Sequence, residues 1–413
     1  MFFVYRIFIN IFILISPFLI IIRIINNKED KIRFIEKFAI SSKKRPKGNL
    51  IWFHCASVGE TVSVIPLIRY FEKNININNI LLTTSTISSA NLVKKYKFKK
   101  LIHQFYPIDH TFLTNKFLKY WKPNVAIFLE SEIWPNMFNN LKKYKIDLIL
   151  LNARITKKTF DNWMLFKKSA IKIFRQIKFA FPQNKETEKY LKTLKINNIK
   201  FTGNLKFIEN KSIFQNKLFK EISQKFKSKK IWVAASTHRG EEKIAASVHM
   251  LMKKKIKNLV TIIIPRHIDR IQSIKRELTQ LNLSINIHSK NKNLEKDTDI
   301  YLVDTFGESE VFYKLASTVF LGKSIMTSGG QNPLEPCRFG SRILHGPNTG
   351  NFKEIYILLK KLKISSKVVY PNDFIRNIKF KKDFGNAKKI KQLGIKVFEK
   401  NIIELNKIIN DTI

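Results

Sequence analysis

Short apolar runs alternate with amphipathic segments from residue 49 onward. Continuous apolar runs bounded by turns are typical of parallel strands that helices cover on both faces. In the first half, the runs cover residues 50–54, 80–84, 125–129, 148–151 and 179–182. The segments between them predict helices over residues 62–71, 88–95, 134–144 and 185–194. The pattern therefore predicts a doubly wound α/β domain over residues 49–205.

The strand pattern weakens over the Lys-rich residues 206–230, which are predicted to form a linker, and then restarts. The later apolar runs cover residues 231–235, 259–264, 285–288, 300–303, 318–321, 343–345 and 368–370. They predict a second α/β domain over residues 231–382, followed by C-terminal helices over 383–413. Open parallel sheets bind ligands beyond the carboxyl ends of their strands. Two such domains are expected to face each other across a cleft that holds the ligands.

The amino-terminal residues 1–25 are apolar except for a few polar positions, and only Arg6 and Arg23 are charged. A spanning helix needs ~20 apolar residues, and long cationic side chains at its ends can reach the interface. Residues 26–48 then carry eight Lys or Arg and three acids. The positive-inside rule places that side in the cytoplasm. The sequence predicts a single inner-membrane anchor helix over 1–25, a basic linker over 26–48 and a body on the cytoplasmic side. A helix lying on the membrane surface is the alternative.

The chain has 413 residues and a formal net charge of +45, from 76 Lys and Arg against 31 Asp and Glu. Such an excess raises the question of nucleic acid or an anionic membrane. Only 14 of the basic residues are Arg, and Lys is spread along the chain together with Ile, Asn and Phe, which indicates compositional bias. Since the chain shows no motif of the common nucleic-acid-binding folds, a basic, membrane-tethered nucleic-acid-binding protein remains only an alternative of a different class.

Cysteine and histidine give no sign of a disulfide framework or a metal site. The two cysteines are Cys55 and Cys337, and the eight histidines form neither HExxH nor a Cys/His cluster. No metal and no cofactor are predicted.

Two polar clusters follow predicted strands of the first domain. Ser57, Gly59 and Glu60 follow residues 50–54, and Glu130 with Glu132 follows residues 125–129. At a strand-to-helix turn a carboxylate can be aimed into the ligand crevice, so Glu60 could act as a general base. The structural alternative is that Glu60 only stabilises the first helical turn through the helix dipole. The second pair could bind a cation, hold sugar hydroxyls or support a base, or could simply be acids that begin a helix.

Four polar clusters follow strands of the second domain and predict a nucleotide site there. A Gly-Gly turn before a short helix exposes amides that suit a phosphate, and a guanidinium adds a planar cationic fork. Neither GxGxxG nor GxxxxGK[ST] is present, which disfavours the dinucleotide and P-loop types of site. The candidates are Ser236, Thr237, His238, Arg266, His267, Gly307, Glu308, Gly329, Gly330, Asn332 and Glu335.

Nearly the whole body carries ordered strings that resemble the 3-deoxy-D-manno-octulosonic acid (Kdo) transferases of lipopolysaccharide synthesis. The strings include WFHCASVGE, LESEIWPN, LLNARIT, GNLKF, AASTHRGEE, IIIPRH, VDTFGE, GGQNPLEP and GPNTGNF. The chain departs from the family pattern at Ser131, Lys323 and Gln331, and the last of these puts a side-chain contact of the nucleotide loop in doubt.

The resemblance implies an inverting, metal-independent glycosyltransferase of GT-B-like architecture, with two Rossmann-like domains and an amino-terminal anchor. It implies CMP-Kdo as donor, a lipid A precursor (lipid IVA) as acceptor, contact with inner-membrane phospholipid, and no nucleic acid as partner. Another GT-B enzyme that uses a UDP-sugar is the nearest alternative. A non-catalytic membrane scaffold is disfavoured because the motif acids are all present.

The resemblance also implies roles for individual residues. Glu60 matches the proposed catalytic base. Ser57, Gly59, Glu130 and Glu132 match the acceptor site, and Arg266 matches a donor-phosphate residue. The donor side otherwise comprises Ser236, Thr237, His238, His267, Gly307, Glu308, Gly329, Gly330, Asn332, the ribose-binding Glu335 and Asn351 near the phosphate or sugar carboxylate.

Overall fold

The computed structural model describes residues 2–209, 216–290 and 294–413. They form two compact units. The first unit holds the residues up to 209 together with Gly394–Ile413, and the second holds the described residues from 216 to 393.

The first unit contains a seven-stranded parallel sheet in the order β3-β2-β1-β4-β5-β6-β7. Its strands are β1 Leu50–Cys55, β2 Asn79–Thr84, β3 Leu101–Phe105, β4 Val125–Leu129, β5 Asp147–Ala153, β6 Phe179–Pro182 and β7 Asn198–Ile199. Its helices are α1 Phe2–Ile25, α2 Val58–Phe71, α3 Ile87–Lys94, α4 Thr111–Trp121, α5 Pro135–Lys143, α6 Lys157–Met164, α7 Lys167–Phe174 and α8 Lys185–Thr193.

The second unit contains another seven-stranded parallel sheet, in the order β10-β11-β9-β8-β12-β13-β14. Its strands are β8 Lys230–Thr237, β9 Leu259–Pro265, β10 Ile285–Ile287, β11 Ile300–Leu302, β12 Thr318–Leu321, β13 Arg342–His345 and β14 Ser365–Lys367. The later helices of the chain are α9 Asn216–Lys225, α10 Glu241–Lys253, α11 Ile271–Thr279, α12 Ser309–Leu315, α13 Leu334–Cys337, α14 Lys353–Lys361, α15 Pro371–Asn377 and α16 Phe384–Asn410.

Burial explains why the central strands were recognisable as apolar runs. All residues of β1 and of β4 are buried, because helices cover both faces of the sheet. In each sheet the strand order reverses direction at one point, between β1 and β4 in the first and between β8 and β12 in the second. Loops that leave the carboxyl ends at such a switch point diverge and open a crevice for ligands.

The predicted α/β class with two parallel sheets is confirmed, and the element predictions need three corrections. Strands β3 and β7 were not predicted, since β3 is only partly buried and β7 has two residues. The strand predicted at 368–370 is wrong, because pairing with β13 involves Ser365–Lys367. The Asp373 carboxylate accepts the backbone N–H groups of Val369 and Tyr370 at 3.0 Å, which turns the chain into α15.

The predicted linker and tail are organised differently from the expectation. Residues 206–230 include helix α9 and the start of β8. The tail is one helix, α16, whose residues from Gly394 belong to the first unit. A Cβ at Gly394 would lie 2.4 Å from the Phe207 carbonyl oxygen, so only glycine permits this close approach. Farther along α16, Asn401 accepts a hydrogen bond of 2.9 Å from the Thr202 hydroxyl, which is a second contact of this helix with the first unit.

At the amino terminus, the segment Val4–Ile25 of α1 is long and apolar enough to cross a membrane. It is the one helix with these properties in the part of the chain that the structure describes.

Candidate active site

The acidic cluster of the first unit, which comprises Glu60, Glu130 and Glu132, lies after β1 and β4, the two strands at the switch point. Ser57 caps α2, since its hydroxyl accepts the Glu60 N–H at 3.3 Å and donates to Glu60 Oε1 at 2.8 Å. The Ala56 N–H donates to Glu60 Oε2 at 2.8 Å. The carboxylate is therefore held by two donors at the start of α2, while 9% of the residue remains exposed.

Burial and neighbouring charge raise the pKa of Glu60 to about 7. Burial is the largest cause, and the carboxylates of Glu132 and Glu130 add repulsion, while the hydrogen bonds from Ser57 and Ala56 act in the opposite direction. A carboxylate with a pKa near the working pH is well matched to accepting a proton in catalysis.

The Glu132 carboxylate is oriented by His54, a residue that the sequence-based site did not include. His54 is fully buried, and its Nε2 lies 3.3 Å from Glu132 Oε2 while its Nδ1 lies 3.0 Å from Thr83 Oγ1. The Trp134 indole N–H donates to the same carboxylate oxygen at 2.9 Å. Glu132 is thus fixed from two sides. The sequence feature that could have indicated His54 is its place in the WFHCASVGE string, two residues before Ala56.

Glu130 is bound by Lys206, which sequence reasoning also missed as a site residue. The Lys206 ammonium lies 2.7 Å from Glu130 Oε1, and its side chain is 15% exposed. Asn152 donates to the same oxygen at 3.4 Å and accepts the Leu205 N–H at 3.0 Å, which orients the turn that carries Lys206. The ion pair places one positive charge within the acidic cluster. Lys206 stands in the GNLKF string.

Gly59 is the second residue of α2 and has helical backbone. A Cβ placed on it would meet only the Ser57 hydroxyl, at 3.9 Å, so the space beside the cluster is open at this point. The structure thus places the five residues predicted for the first unit at the start of α2 and in the loop after β4, beyond the two strands at the switch point.

The second unit has a cavity of about 210 Å³ at the carboxyl ends of its strands. Residues from the end of β8 and from the loops after β9, β11 and β12 line it. Five of the predicted donor residues are among them, namely Ser236, Arg266, Gly307, Asn332 and Glu335. The structure therefore brings these five residues together around one cavity.

Tyr313 from α12 also lines this cavity and was not predicted. Burial and the neighbouring Glu335 raise the pKa of its hydroxyl, while Ser309 and Ser236 hydrogen-bond to it. Glu335 is reached by solvent through the cavity but is surrounded by protein, and this desolvation raises the pKa of its carboxyl group. A tyrosine hydroxyl and a carboxyl group in one recess can bind sugar hydroxyls.

Several other predicted donor residues shape the loops and do not line the cavity. Thr237 donates to Glu242 at 3.0 Å, and the His238 N–H donates to Glu241 at 2.9 Å. His267 precedes the short 3₁₀ turn Ile268–Arg270. These residues lie at the edge of the site.

Glu241 ties this edge to the loop after β12. Its carboxylate accepts the backbone N–H groups of Lys323 at 2.9 Å and of Ser324 and Ile325 at 3.1 Å. A Cβ at Gly322 would lie 2.5 Å from this carboxylate, so the approach requires glycine. The buried acid therefore sets the path of the chain toward the Gly-Gly turn.

The Gly329–Gly330 turn adopts a backbone conformation that favours glycine. Gly329 and Gly330 have φ of +119° and +72°, a region that L-residues rarely adopt. The Asn351 N–H donates to the Gly329 carbonyl at 2.9 Å, which packs the 350–352 turn against the glycines.

Glu308, predicted to line the nucleotide pocket, is not among the residues that line this cavity. Its carboxylate lies 2.9 Å from His288 Nε2 and also accepts the Thr305 hydroxyl. Since His288 follows β10, this contact fastens the 304–308 loop to the edge of the sheet. The neighbouring Gly307, with φ of +89°, does line the cavity.

A larger cavity of about 490 Å³ lies elsewhere in the second unit, where Arg342 begins β13 and Ile364 precedes β14. Its lining includes four lysines and none of the predicted site residues. Ligands of open parallel sheets bind at the opposite, carboxyl ends of the strands, so the smaller cavity is the candidate site. Within residues 2–209, 216–290 and 294–413, no group of three or more His, Cys, Asp or Glu side chains is arranged to hold a metal ion.

The fold and the loop sites define a GT-B-like protein, and solved structures show the same architecture. UDP-GlcNAc 2-epimerase from Neisseria meningitidis matches with a TM-score of 0.53 and 13% sequence identity, covering 86% of this chain and 100% of that one. At this identity the likeness concerns the fold alone.

Sequence comparison identifies the family. A family model described as 3-deoxy-D-manno-octulosonic-acid transferase matches residues 32–209. The 3-deoxy-D-manno-octulosonic acid transferase of Rickettsia bellii is 32% identical over 387 residues, 93% of this chain and 92% of that protein. The protein of the same name from Haemophilus influenzae is 29% identical over 77% of this chain and 75% of its own length. The chain belongs to the Kdo transferase family of glycosyltransferases.

Proposed function

We propose that this protein transfers Kdo from CMP-Kdo to a lipid A precursor such as lipid IVA, with inversion at the anomeric carbon and with Glu60 as general base. The proposal rests on the hydrogen bonds that hold the Glu60 carboxylate and on its raised pKa. The carboxylate is held by the Ser57 hydroxyl and the Ala56 N–H, and its pKa is raised to about 7 beside two further carboxylates. The family membership supplies the class of reaction.

In the proposed step, an acceptor hydroxyl gives its proton to a Glu60 carboxylate oxygen as the hydroxyl oxygen attacks the anomeric carbon of Kdo. The new C–O bond forms while the bond from that carbon to the CMP phosphate oxygen breaks, and the bonding electrons leave with CMP. Glu60 ends the step protonated and returns the proton to water. A positioned base contributes typically ~10²–10⁴ to such a rate.

The leaving group is a phosphate, so negative charge grows on its oxygens during departure. Arg266 at the cavity offers a planar cationic donor. In the Gly-Gly turn the Gly330 N–H donates to the Lys323 carbonyl at 2.9 Å, so the amide proposed to meet a phosphate is that of Gly329. Preorganised donors of this kind stabilise developing charge without reorganisation, and the proposed mechanism uses them in place of a metal. Ser236, Asn332, Glu335 and Tyr313 would hold the nucleoside. The volume of about 210 Å³ suits one part of a nucleotide sugar, since pockets for whole drug-sized ligands begin at ~300 Å³.

On the acceptor side, Glu130 and Glu132 would orient the sugar of the lipid. The Lys206 ion pair limits the repulsion between the acidic cluster and an anionic donor or a lipid phosphate. The apolar helix α1 supports attachment to the inner membrane with the body on the cytoplasmic side, where a lipid acceptor and a water-soluble donor can meet.

The experiment is mass spectrometry of the lipid product after incubation of the purified protein with CMP-Kdo and lipid IVA. We expect a product that is heavier by whole Kdo units, and the number of units is read from the same spectrum. An unchanged acceptor would contradict the proposal.

A GT-B enzyme that uses a UDP-sugar is the alternative, favoured only by the fold shared with UDP-sugar enzymes. Competition separates the two. CMP and CTP should inhibit transfer and raise the thermal unfolding temperature, whereas UDP at the same concentration should have little effect. The reverse ranking would support the alternative.

A further inference from the structure

One face of α1 packs against the first unit along the whole helix. Buried or half-buried positions recur every three or four residues, which is the spacing of a single helical stripe. They are Tyr5, Ile9, Ile13, Ser16, Ile20 and Ile24. Ile13 joins the main apolar core of the unit.

The first turns of α1 are bound to a buried carboxylate of the folded unit. The Tyr5 hydroxyl donates to Asp109 Oδ2 at 2.6 Å. Asp109 is 2% exposed and accepts the N–H groups of Asn136 at 3.0 Å and Met137 at 2.8 Å, which caps the start of α5. The amino-terminal end of α1 is therefore fixed beside the loop that carries Glu132.

The last turns of α1 are bound to the same unit through Glu29. Its carboxylate lies 3.1 Å from Arg23 Nε and 2.5 Å from Lys37 Nζ. Lys37 belongs to the 3₁₀ segment Arg33–Phe38, in which Glu36 accepts the Phe105 N–H of β3 at 2.6 Å. Both ends of the helix are thus attached to one folded body.

The opposite face of α1 is apolar and uncovered. Phe8 is 70% exposed, Leu14 is 80% exposed and Phe18 is 64% exposed. A row of large, exposed apolar side chains on one helix face marks contact with another molecule or with lipid. The segment 28–47 follows the helix and contains eight Lys or Arg and three acids. An anionic membrane surface attracts such an excess of positive charge.

We propose that α1 lies in the plane of the membrane surface, with one face on the first unit and the other in the lipid, and does not span the bilayer. The inference rests on the membrane attachment in the proposed function. A helix of 24 residues is ~36 Å long, about the thickness of the hydrocarbon layer. If α1 spanned it, Asp109 and Glu29 would lie on opposite sides of the membrane, although one folded unit holds both. An in-plane helix keeps both partners on the cytoplasmic side and leaves Phe8, Leu14 and Phe18 in the interface.

The test determines on which side of the membrane the amino terminus is accessible to a labelling reagent. A short polar tag with one cysteine precedes Met1 of the full chain, and a membrane-impermeant maleimide is applied to spheroplasts and to inverted inner-membrane vesicles. The matched control is Lys44→Cys in the exposed linker, and the untagged parent reports background from the buried Cys55 and Cys337. We expect the tag and Lys44→Cys to react in inverted vesicles only. A tag that reacts only in spheroplasts would show a spanning helix and overturn the inference.

A second measurement tests the lipid-facing side. The double variant Leu14→Asp/Phe18→Asp should move at least half of the protein out of the vesicle pellet, whereas Ile75→Asp, at an apolar residue that is 87% exposed outside α1, should leave it there. The inference would be overturned if the double variant pelleted with the vesicles as fully as the parent does. It would also be overturned if the parent were soluble and formed a dimer through α1. Transfer to a detergent-solubilised acceptor is measured in parallel. If transfer is absent while the tag reacts from the cytoplasmic side, the proposed function fails and the in-plane helix stands.

Discussion

The two units build their sites from different materials, although both use the carboxyl ends of a seven-stranded parallel sheet. In the first unit, polar side chains contact one another, as in the Glu132–His54 contact and the Glu130–Lys206 ion pair. In the second unit, the backbone conformation carries more of the site, with positive φ at Ser236, Gly307 and the Gly-Gly turn. A proton acceptor needs its pKa tuned by neighbouring charge, whereas a phosphate needs amides and a cation in fixed positions. In the proposed function, the same topology thus supplies a proton-handling site in the first unit and an anion-binding site in the second.

The largest effect that follows from this comparison concerns the proton-handling site. Glu60→Gln keeps the size of the side chain and can retain the bonds to Ser57 and Ala56, but it cannot take a proton. We expect kcat to fall by roughly 10²–10⁴ with the KM for the donor nearly unchanged. Initial rates of Kdo transfer measure both.

The matched control for this variant is Glu399→Gln, which changes an exposed acid of α16 in the same unit and should keep the parental rate. Near-parental turnover by Glu60→Gln would show that its carboxylate serves only to hold the start of α2.

The next effect is on stability, because Glu60 is also a buried acid with a raised pKa. The folded protein keeps a proton on Glu60 up to a pH of about 7, whereas the unfolded chain loses it near 4.5. Its contribution to the free energy of unfolding is therefore fully present below pH 4.5 and is lost as the pH rises to about 7, by an amount on the order of 3 kcal/mol.

Urea unfolding of the parent and of Glu60→Gln at pH 5 and pH 8 measures this contribution. The parent should lose more stability between the two values than the variant does. Asp109, whose pKa burial raises to about 6, contributes with the same sign in both proteins and cancels in the difference. Equal pH dependence in the two proteins would contradict the raised pKa of Glu60.

The anion-binding site should respond in binding more than in turnover. Arg266→Ala removes a cationic donor from the cavity, and a hydrogen bond to a charged group contributes ~1.5–3 kcal/mol. We expect the KM for CMP-Kdo to rise by roughly ten- to a hundredfold. Arg276→Ala, at an exposed arginine of α11, is the control and should leave KM unchanged. A loss confined to kcat would place Arg266 outside ground-state donor binding.

The same comparison explains what the sequence could and could not predict. Both sheets were predictable because their central strands are buried on two faces and read as continuous apolar runs. The partly buried β3, which contains His103 and Gln104, carries no such signal. Site acids such as Glu60 were predictable from their position after a strand.

The partners of these acids were not predictable, because they come from distant parts of the chain. His54 and Glu132 are 78 residues apart and meet only because β1 and β4 are neighbours in the sheet. For Glu308, the sequence indicates the correct strand end but not the direction of the side chain, which turns to His288. Side-chain direction depends on tertiary contacts that periodicity does not encode.

The smallest effect is also the sharpest test of how charge tunes the proton-handling site. Glu132→Gln removes a neighbouring carboxylate that raises the pKa of Glu60, while the amide oxygen can still accept the Trp134 N–H. With less repulsion, Glu60 ionises more easily, so its pKa falls. We expect the acidic limb of the profile of kcat/KM against pH, which reports the free enzyme, to move from about 7 to lower pH. Arg266→Ala should leave this limb in place, because it lies in the other unit's cavity. A limb that stays fixed in Glu132→Gln would show that the Glu132 carboxylate does not raise the pKa of Glu60, contrary to the charge coupling argued for this cluster.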